Sequence, residues 1–427
     1  MSTEPEPGVV TSDDAQYALD LVSAICTEVG PGLPGSPQER ERARMIEEGL
    51  EAHLGAGSVA VEGFTFAPAA FLRSSPAIAL LTLLAALLNI SAGRLPGVSA
   101  WPACIAALVI SFISPLVFLY EFVLGLELTD PLFKKRRSVN VVGSLRKPGT
   151  RNVKRLLILS GHHDSAPENT WFRFLGYGFF LLSATWLLGL LTLPAMCLVQ
   201  LAGLVAGDAG LLEAGTLGWP LLVYPIAPTI LFALFLSRGW EDGGTVPGAA
   251  DNLSACGLLV AMCRFLVENP SCIPDDTEIR FISFGAEEAG YRGSRRYVAR
   301  HLDELQRLDA RLLNFETIAH PEIAILTSET NGTVKNSPEM VHSTVAAAER
   351  AGVPHKLRPA SLGVAGDAGP FSRAGLKATT LLGMSTKQQV AFYHQVWDTP
   401  DVLTLEPLLN VLKLALEWIG NGGEYTG

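Results

Sequence analysis

The sequence is short of charge. Only 17% of its 427 residues are Asp, Glu, Lys or Arg, whereas 48% are hydrophobic, and the mean hydropathy is +0.30. The deficit is local, because four stretches contain no charged residue and each is about as long as the roughly 20 residues that span a bilayer as a helix. They are residues 74–92, 95–120, 174–207 and 214–237. The pattern favours an integral, multi-pass membrane protein with about four spans over a set of buried core helices.

Signals for secretion, disulfide bonding and nucleic-acid binding are also missing. The opening MSTEPEPGVVTSDDAQ has neither a basic start nor an apolar run, so no cleaved secretory signal is expected and the chain is predicted to begin in the cytoplasm. The six cysteines show no CxxC spacing, which favours packing thiols in a reducing compartment. A formal charge of −10 without a basic, aromatic-interleaved patch argues against nucleic acid as a partner.

Basic residues around the apolar stretches predict their orientation. Arg73 and the run at 134–137 stand outside the first pair of stretches, and Arg173 and Arg238 stand outside the second pair. Inside the pairs, the connecting loops offer Arg94 as their one basic residue. By the positive-inside rule, each pair is a transmembrane hairpin and the polar remainder, with any catalytic domain, is cytoplasmic.

The polar remainder predicts one α/β domain interrupted by these hairpins. Alternating residues at 59–66 and apolar runs at 156–160, 279–284 and 312–315 predict strands, and helical apolar spacing at 252–267 predicts a helix. This alternation predicts a mixed, mostly parallel sheet flanked by helices. In chain order, we expect a disordered tail (1–14), a first part of the domain (15–72), hairpin 1 (74–125), a part with metal-site strands (131–170), hairpin 2 (174–237) and the remainder of the domain (240–427).

Metal-binding side chains follow three of the predicted strands. They are His162 with Asp164, the pair Glu287 and Glu288, and Glu316. Ligands of such sheets collect at the carboxyl ends of strands, so we expect these side chains to meet there. Asp251 in VPGAADNLSACG and His394 in AFYHQVWDTPD complete the set.

This inventory fits a pair of divalent metal ions that activate water. Such a site needs a bridging carboxylate, for which Asp251 is the candidate, and terminal carboxylates for the two ions, for which Glu288 and Glu316 are candidates. Two imidazoles, His162 and His394, would complete the ligands.

Two further carboxylates are predicted to act beside the ligands. Asp164 is placed to orient the ring of His162 by accepting its hydrogen bond. Because successive side chains after a strand point to opposite faces, Glu287 is free to act as a general base while Glu288 binds metal. A solvated surface pair is the alternative for the two glutamates.

In combination and in this order, the motifs resemble peptidase family M28, a family of zinc peptidases. LILSGHHDS contains its HxD pattern, VPGAADN a GAxDN-like segment, GAEEAGYRGS its AEExGxxGS and AFYHQVWDT its late YHxxxDT. The GPGLPGSP turn and the helix after it are similar to the opening of the family. The resemblance covers about residues 15–72, 138–168 and 245–419.

The resemblance implies an amide hydrolase with two zinc ions, other divalent metals being an alternative. It implies Glu287 as the base and Tyr393 as a donor to the oxyanion. Asn252 would follow Asp251 across a peptide bond that is cis in the family. The ligand sets that it implies are His162, Asp251 and Glu316 for one ion, and Asp251, Glu288 and His394 for the other.

Two positions depart from the family pattern. Glu316 stands where many members have Asp. The segment AGDAGPF at 365–371 is similar to the family's SDHxPF and keeps Asp367 beside the site, but Ala368 replaces the histidine. Both changes are predicted to alter substrate recognition.

These patterns predict a membrane-integrated hydrolase of amide or peptide bonds, most simply an aminopeptidase. Since seven positions lead from Asp164 to Trp171, the metal ligands are expected within roughly 25 Å of the third span. A lipopeptide or a lipid amide in the membrane is therefore an alternative substrate. Other readings are a deacylase of aminolipids or N-acyl amino acids, a catalytically inactive receptor, and a glutaminyl cyclase, which five ligand positions disfavour.

Overall fold

The computed structural model describes residues 8–92, 94, 99–217, 220–235, 245–361, 363–364 and 366–425. The chain divides into two compact units. The sheet unit comprises Met1–Pro68, Lys135–Glu168 and Thr245–Gly427, and the helical unit comprises Ala69–Lys134 and Asn169–Gly244.

The sheet unit is built on an eight-stranded sheet in the order β1-β2-β4-β3-β5-β10-β6-β9. Parallel pairing joins β3 to both β4 and β5, β5 to β10, and β6 to β9, whereas β1, β2 and β4 pair antiparallel, as do β6 and β10. The predicted mixed, mostly parallel sheet flanked by helices is confirmed. The strands, including the separate pair β7 and β8, are β1 (Val59–Phe66), β2 (Arg136–Arg146), β3 (Arg155–His162), β4 (Thr277–Phe284), β5 (Arg311–Glu316), β6 (Ile323–Leu326), β7 (Ser328–Glu329), β8 (Val334–Lys335), β9 (His355–Arg358) and β10 (Lys377–Leu382).

Helices cover both faces of this sheet. On one face α1, α2, α9, α11 and α14 share a core with the central strands, and on the other α10 and α12 do so. Because helices cover both faces, β4 and β5 are buried along their whole length. The helices of this unit are α1 (Ser12–Glu28), α2 (Pro37–Leu54), α9 (Ser254–Glu268), α10 (Arg292–Arg307), α11 (Pro338–Arg350), α12 (Ala368–Arg373), α13 (Thr386–Ala391) and α14 (Leu405–Gly420).

The helical unit consists of long apolar helices and short connecting ones. Its helices are α3 (Pro68–Ser91), α4 (Ala100–Phe118), α5 (Thr170–Leu175), α6 (Gly178–Ala206), α7 (Ala209–Ala214) and α8 (Pro220–Phe235). A π-helical turn, Leu119–Val123, extends α4. The apolar faces of α3, α4 and α6 pack on one another around Ala107, Leu193 and Cys197.

Four helical segments among the described residues are long and apolar enough to cross a membrane. Three are in the helical unit, at Pro68–Ser91, Ala100–Val123 and Gly178–Ala206. The fourth, Ala249–Glu268, is mostly buried and contains α9, which packs in the core of the sheet unit. The predicted fourth stretch, 214–237, contains the shorter α8 of 16 residues, and 218–219 and 236–237 lie outside the described residues.

Two predicted boundaries differ from the structure. A disordered tail was expected up to residue 14, and its first seven residues lie outside the described part. The expectation is wrong for the rest, because α1 begins at Ser12 and Thr11 caps it: the side chain of Thr11 accepts from the Asp13 amide, while Asp14 accepts from the Thr11 amide. The first long apolar helix begins at Pro68 rather than at 74, since proline suits the first position of a helix.

Candidate metal centre

Three neighbouring strands bring the predicted site residues together. His162 is the last residue of β3 and Glu316 the last residue of β5, and Glu287 follows the end of β4 by three residues. In the sheet, β3 lies between β4 and β5 and runs parallel to both. Their carboxyl ends therefore meet at one edge, where the sequence predicted the site.

Asp251 reaches this edge from an irregular turn that leads into α9. Its peptide bond to Asn252 is cis, as the resemblance implied. Asp398 holds the turn, because its carboxylate accepts hydrogen bonds from the Ala250 amide at 2.7 Å and from the Asp251 amide at 3.0 Å. The backbone of Asp251 is thus held by two hydrogen bonds, one at its own amide and one at the amide before it.

The two carboxylate oxygens of Asp251 face different imidazoles. Oδ1 lies 3.4 Å from Nε2 of His162, and Oδ2 lies 3.0 Å from Nε2 of His394. Glu316 Oε1 is 3.7 Å from the same nitrogen of His162, and Glu288 Oε1 is 3.4 Å from that of His394. The five predicted ligands therefore form two groups that share Asp251, and each group could hold a metal ion.

The donor atoms are spaced like ligands around a metal ion rather than like partners in hydrogen bonds with one another. Nε2 of His162, Oδ2 of Asp251 and Oε1 of Glu288 are buried and make no hydrogen bond within the described structure. Around a tetrahedral zinc ion with bonds of about 2.0–2.2 Å, neighbouring donors lie ~3.3 Å apart. The observed separations of 3.0–3.7 Å match that spacing.

Glu287 lies at the same edge but outside the two groups that share Asp251. Its Oε2 is 3.8 Å from Nε2 of His162, and it forms a third group of possible ligands with His162 and Glu288. Asp164 orients the pair, since its two oxygens accept from the amides of Glu287 and Glu288, each at 3.0 Å. Nδ1 of His162 is nearer to the backbone oxygen of Asp164, at 3.2 Å, than to its carboxylate, at 3.4 Å.

Asn252 ties the turn of Asp251 to the end of β5. Its side-chain amide donates to the Phe315 carbonyl at 2.9 Å and lies 3.4 Å from Oε2 of Glu316, and its oxygen accepts from the Thr317 amide at 3.0 Å. The residue therefore links two ligand-bearing segments, consistent with its predicted place beside the ligands.

Burial governs the charge of the carboxylates. It raises the pKa of Glu287 well above its usual value, also raises that of Glu288, and raises that of Glu316 to about 8. Burial would likewise raise the pKa of Asp251, but the imidazoles of His162 and His394 hold it well below its usual range. A concentration of buried carboxylates around two imidazoles is the environment that divalent cations neutralise.

Tyr393 and Asp367 lie near the centre without belonging to either ligand group. The Tyr393 ring stacks on that of His394, with centroids 3.9 Å apart. Burial and the surrounding carboxylates raise the Tyr393 pKa well above 10, so its hydroxyl remains a donor. Asp367 is fully buried, and burial raises its pKa to about 7.

The sequence analysis missed several residues that hold the centre. Asp398 stands in the late YHxxxDT-like motif but had no assigned role, and Glu39 and Arg42 of α2 had no signal beyond helical spacing. All three form hydrogen bonds to backbone groups. Such contacts do not depend on the side chain of the partner residue, so the sequence of the partner segment gives no sign of them. Positive φ angles at Ala286 (55°) and His394 (53°) also flank the ligands, a strained conformation that surrounding contacts must maintain.

Comparison with known proteins agrees with this geometry. Residues 236–419 match the model of peptidase family M28. Aminopeptidase YwaD of Bacillus subtilis (strain 168) is 30% identical over 185 residues, which are 41% of this chain and 38% of that protein. The chain thus matches well under half the length of this curated relative.

Solved structures resemble the chain over nearly its whole length. The zinc aminopeptidase BSAP from Bacillus subtilis superposes with a TM-score of 0.52 at 16% identity, covering 94% of this chain and 93% of that one. A glutaminyl cyclase from Fimbriiglobus ruber gives 0.54 at 13% identity, covering 98% and 99%. At such identities the likeness establishes the fold. The expected resemblance is confirmed: residues 236–419 match peptidase family M28, and the chain has the fold of the solved zinc aminopeptidase.

Proposed function

We propose that the protein is a membrane-integrated, dinuclear zinc hydrolase that cleaves an amide or peptide bond, most simply an aminopeptidase. The observation that carries the proposal is the placement of Asp251, whose two oxygens face His162 at 3.4 Å and His394 at 3.0 Å. A carboxylate shared in this way suits two cations side by side.

The metal ligands divide around that carboxylate. One ion would be held by His162, Asp251 and Glu316, and the other by Asp251, Glu288 and His394. Nitrogen and carboxylate donors without thiolates suit zinc in a catalytic site, and related proteins are zinc aminopeptidases. Other divalent metals with the same preferences remain an alternative.

Glu287 is the proposed general base. Both ligand groups are complete without it, yet it lies beside them, with 8% of its surface exposed. Bound zinc supplies a Lewis acid that acidifies water and polarises the substrate carbonyl. Glu287 would take the proton of the attacking water and deliver it to the leaving amine. Tyr393, which stays protonated, would donate a hydrogen bond to the carbonyl oxygen as negative charge develops there.

The helical unit supports a membrane location. Among its described residues, large apolar side chains such as Leu181 (70% exposed) and Leu191 (68% exposed) point outward from helices that are long enough to span a bilayer. Water would disfavour such a surface, and lipid would not. We propose that these helices span the membrane, with the sheet unit in the cytoplasm.

The same surface favours a second substrate class. An amide in a lipid, or a peptide with a lipid attached, would share the membrane with the exposed helices. Reconstituted enzyme can be given matched soluble and lipid-attached amides. Preference for the lipid-attached amide would support presentation by the membrane, whereas equal turnover would leave the helices as an anchor alone.

The base assignment has a direct test in Glu287→Gln. Glutamine keeps the size of the side chain but cannot take a proton, so amide hydrolysis should fall at least ~100-fold while zinc content stays unchanged. Glu349→Gln, at an exposed position of α11, is the matched control and should retain activity. Wild-type activity in the Glu287 variant would reject the base, and purified wild-type protein without bound metal would favour an inactive receptor.

A further inference from the structure

Helix α2 carries two buried charged side chains on one face. Glu39 and Arg42 are both fully buried and lie three residues apart, so they project from the same side of the helix. Neither forms an ion pair with an opposite side chain within the described structure. Their hydrogen bonds go instead mainly to backbone groups of other segments, which is unusual for charges without solvent.

Arg42 joins the turn before α2 to two ligand segments. Its Nε donates to the Gly30 carbonyl at 2.9 Å, one terminal nitrogen donates to the His163 carbonyl at 3.2 Å and the other to the Pro247 carbonyl at 2.6 Å. His163 directly follows His162, and Pro247 opens the turn that carries Asp251. One planar guanidinium thus sets the distance between the backbones on which two ligands are mounted.

Glu39 performs the corresponding task for the third segment. Its carboxylate accepts from the Ala286 amide at 2.9 Å, from the Ser138 hydroxyl at 2.7 Å and from the Gly35 amide at 2.6 Å. Ala286 directly precedes Glu287 and has the positive φ noted above. The carboxylate therefore holds the strained residue from which Glu287 and Glu288 extend.

Glycines allow the backbone to approach these two charged side chains. A Cβ at Gly32 would lie 2.7 Å from Cδ and 2.8 Å from Nε of Arg42. A Cβ at Gly285 would collide with the Ser138 hydroxyl and lie 3.2 Å from Oε1 of Glu39. Gly32 of GPGLPGSP and Gly285 of FGAEEAG thus have a common explanation, since a side chain at either position would press against Arg42 or Glu39.

We propose that Glu39 and Arg42 are positioning residues that set the spacing of the two metal-ligand groups. The inference rests on the proposed function, because it assigns the pair a task at that same centre. It adds a part of the chain outside residues 236–419 to the residues that determine metal affinity. Neither residue touches a ligand atom, so each acts through the backbone of the ligand segments.

The test uses the full-length protein and measures the metal directly. Arg42→Met and Glu39→Gln should each raise the dissociation constant for Zn²⁺ about 10–100-fold in chelator competition, as loss of residues that orient ligands typically does. The visible spectrum of the Co²⁺-loaded protein should also change. Arg42→Lys keeps the charge but lacks the planar fork, so it should restore affinity in part.

Matched controls come from the exposed face of the same helix. Arg44→Met and Glu48→Gln break a surface ion pair and should leave affinity and spectrum unchanged. The proposal is overturned if folded Arg42→Met or Glu39→Gln binds both metals as the wild type does, even with a lower melting temperature. Should Arg42→Met fail to fold, wild-type affinity in both Arg42→Lys and Glu39→Gln overturns it. Wild-type protein that binds no zinc would instead refute the proposed function.

Discussion

The two units of this chain place polar and apolar side chains in opposite ways. In the sheet unit, buried carboxylates and imidazoles gather at one edge of the sheet, inside an apolar core. In the helical unit many of the described large apolar side chains are exposed. Among the described residues, the exposed large apolar side chains of the sheet unit are Val9, Val61, Leu357, Trp397 and Tyr425. The difference supports the proposal that the helical unit lies in lipid.

The interiors of the units differ as well. The sheet unit buries charged side chains whose partners are other charges or backbone groups, as at Asp164 and Asp398. The helical unit places a network of neutral amides in its interior, where Asn89 and Gln200 bond to each other and to the backbone. Around Asn89, neutral groups suffice to fix how the helices pack. The helical unit also buries Glu121, whose carboxylate accepts from the Thr129 amide, but it gathers no cluster of charges like that at the edge of the sheet among the described residues.

The largest effect is expected at Asp251. Asp251→Asn removes the charge shared by both ligand groups, so metal content should fall from two ions per chain to less than one, and hydrolysis should fall by more than ~100-fold. His394→Gln disturbs one group only and should leave one ion. Metal analysis of the purified proteins measures both, with the exposed His342→Gln as control. Equal metal loss in the Asp251 and His394 variants would contradict the bridging role.

A smaller loss is expected at Asp398, which holds Asp251 through two backbone amides. In Asp398→Asn, one oxygen is replaced by an NH₂ group that cannot accept, so one of these bonds is lost. Metal affinity should fall about 10–100-fold. Asp401→Asn, three residues away and exposed, should have wild-type affinity. If the two variants behaved alike, the buried charge would not serve the centre.

One lysine substitution in each unit tests whether the surfaces of the two units face different surroundings. Leu191 in α6 is 68% exposed and Leu357 in β9 is 55% exposed. If the helical unit lies in lipid, Leu191→Lys should cost about 2.5–3.5 kcal/mol of insertion and reduce the membrane-bound fraction. Leu357→Lys, facing water, should change stability by less than ~0.5 kcal/mol. Equal tolerance of the two lysines would show that α6 faces water.

The smallest effect concerns the neutral network of the helical unit. Asn89 donates to Gln200 and to the Gly215 carbonyl, each at 3.0 Å. Asn89→Leu should therefore lower the free energy of unfolding in detergent by ~0.6–1.7 kcal/mol. Thr192→Val alters an exposed hydroxyl that bonds only within its own helix and is the control. A loss no larger than that of the control would mean that the network contributes little to helix packing.

Much of the fold and of the site could be predicted because the relevant signals are local. Strand β1 has the bounds that its alternating residues predicted, 59–66, and α9 and β4 begin within two residues of their predicted starts. The five proposed ligands, which the structure brings together, stand in short motifs at the ends of such elements. Strands β6 to β10 were not predicted, since they are short and depend on partners far along the chain.

What the sequence determined by itself is the chemistry and the periodicity: which side chains can bind a metal, which runs are apolar, and where helices and strands alternate. These properties belong to neighbouring residues and can be read in order. Only the tertiary structure decided that Asp251 turns one oxygen to His162 and the other to His394, and that Glu39 and Arg42 hold three ligand segments. Such contacts join residues 89 or more positions apart, and the free energy that selects them comes from packing the whole sheet unit rather than from any one segment.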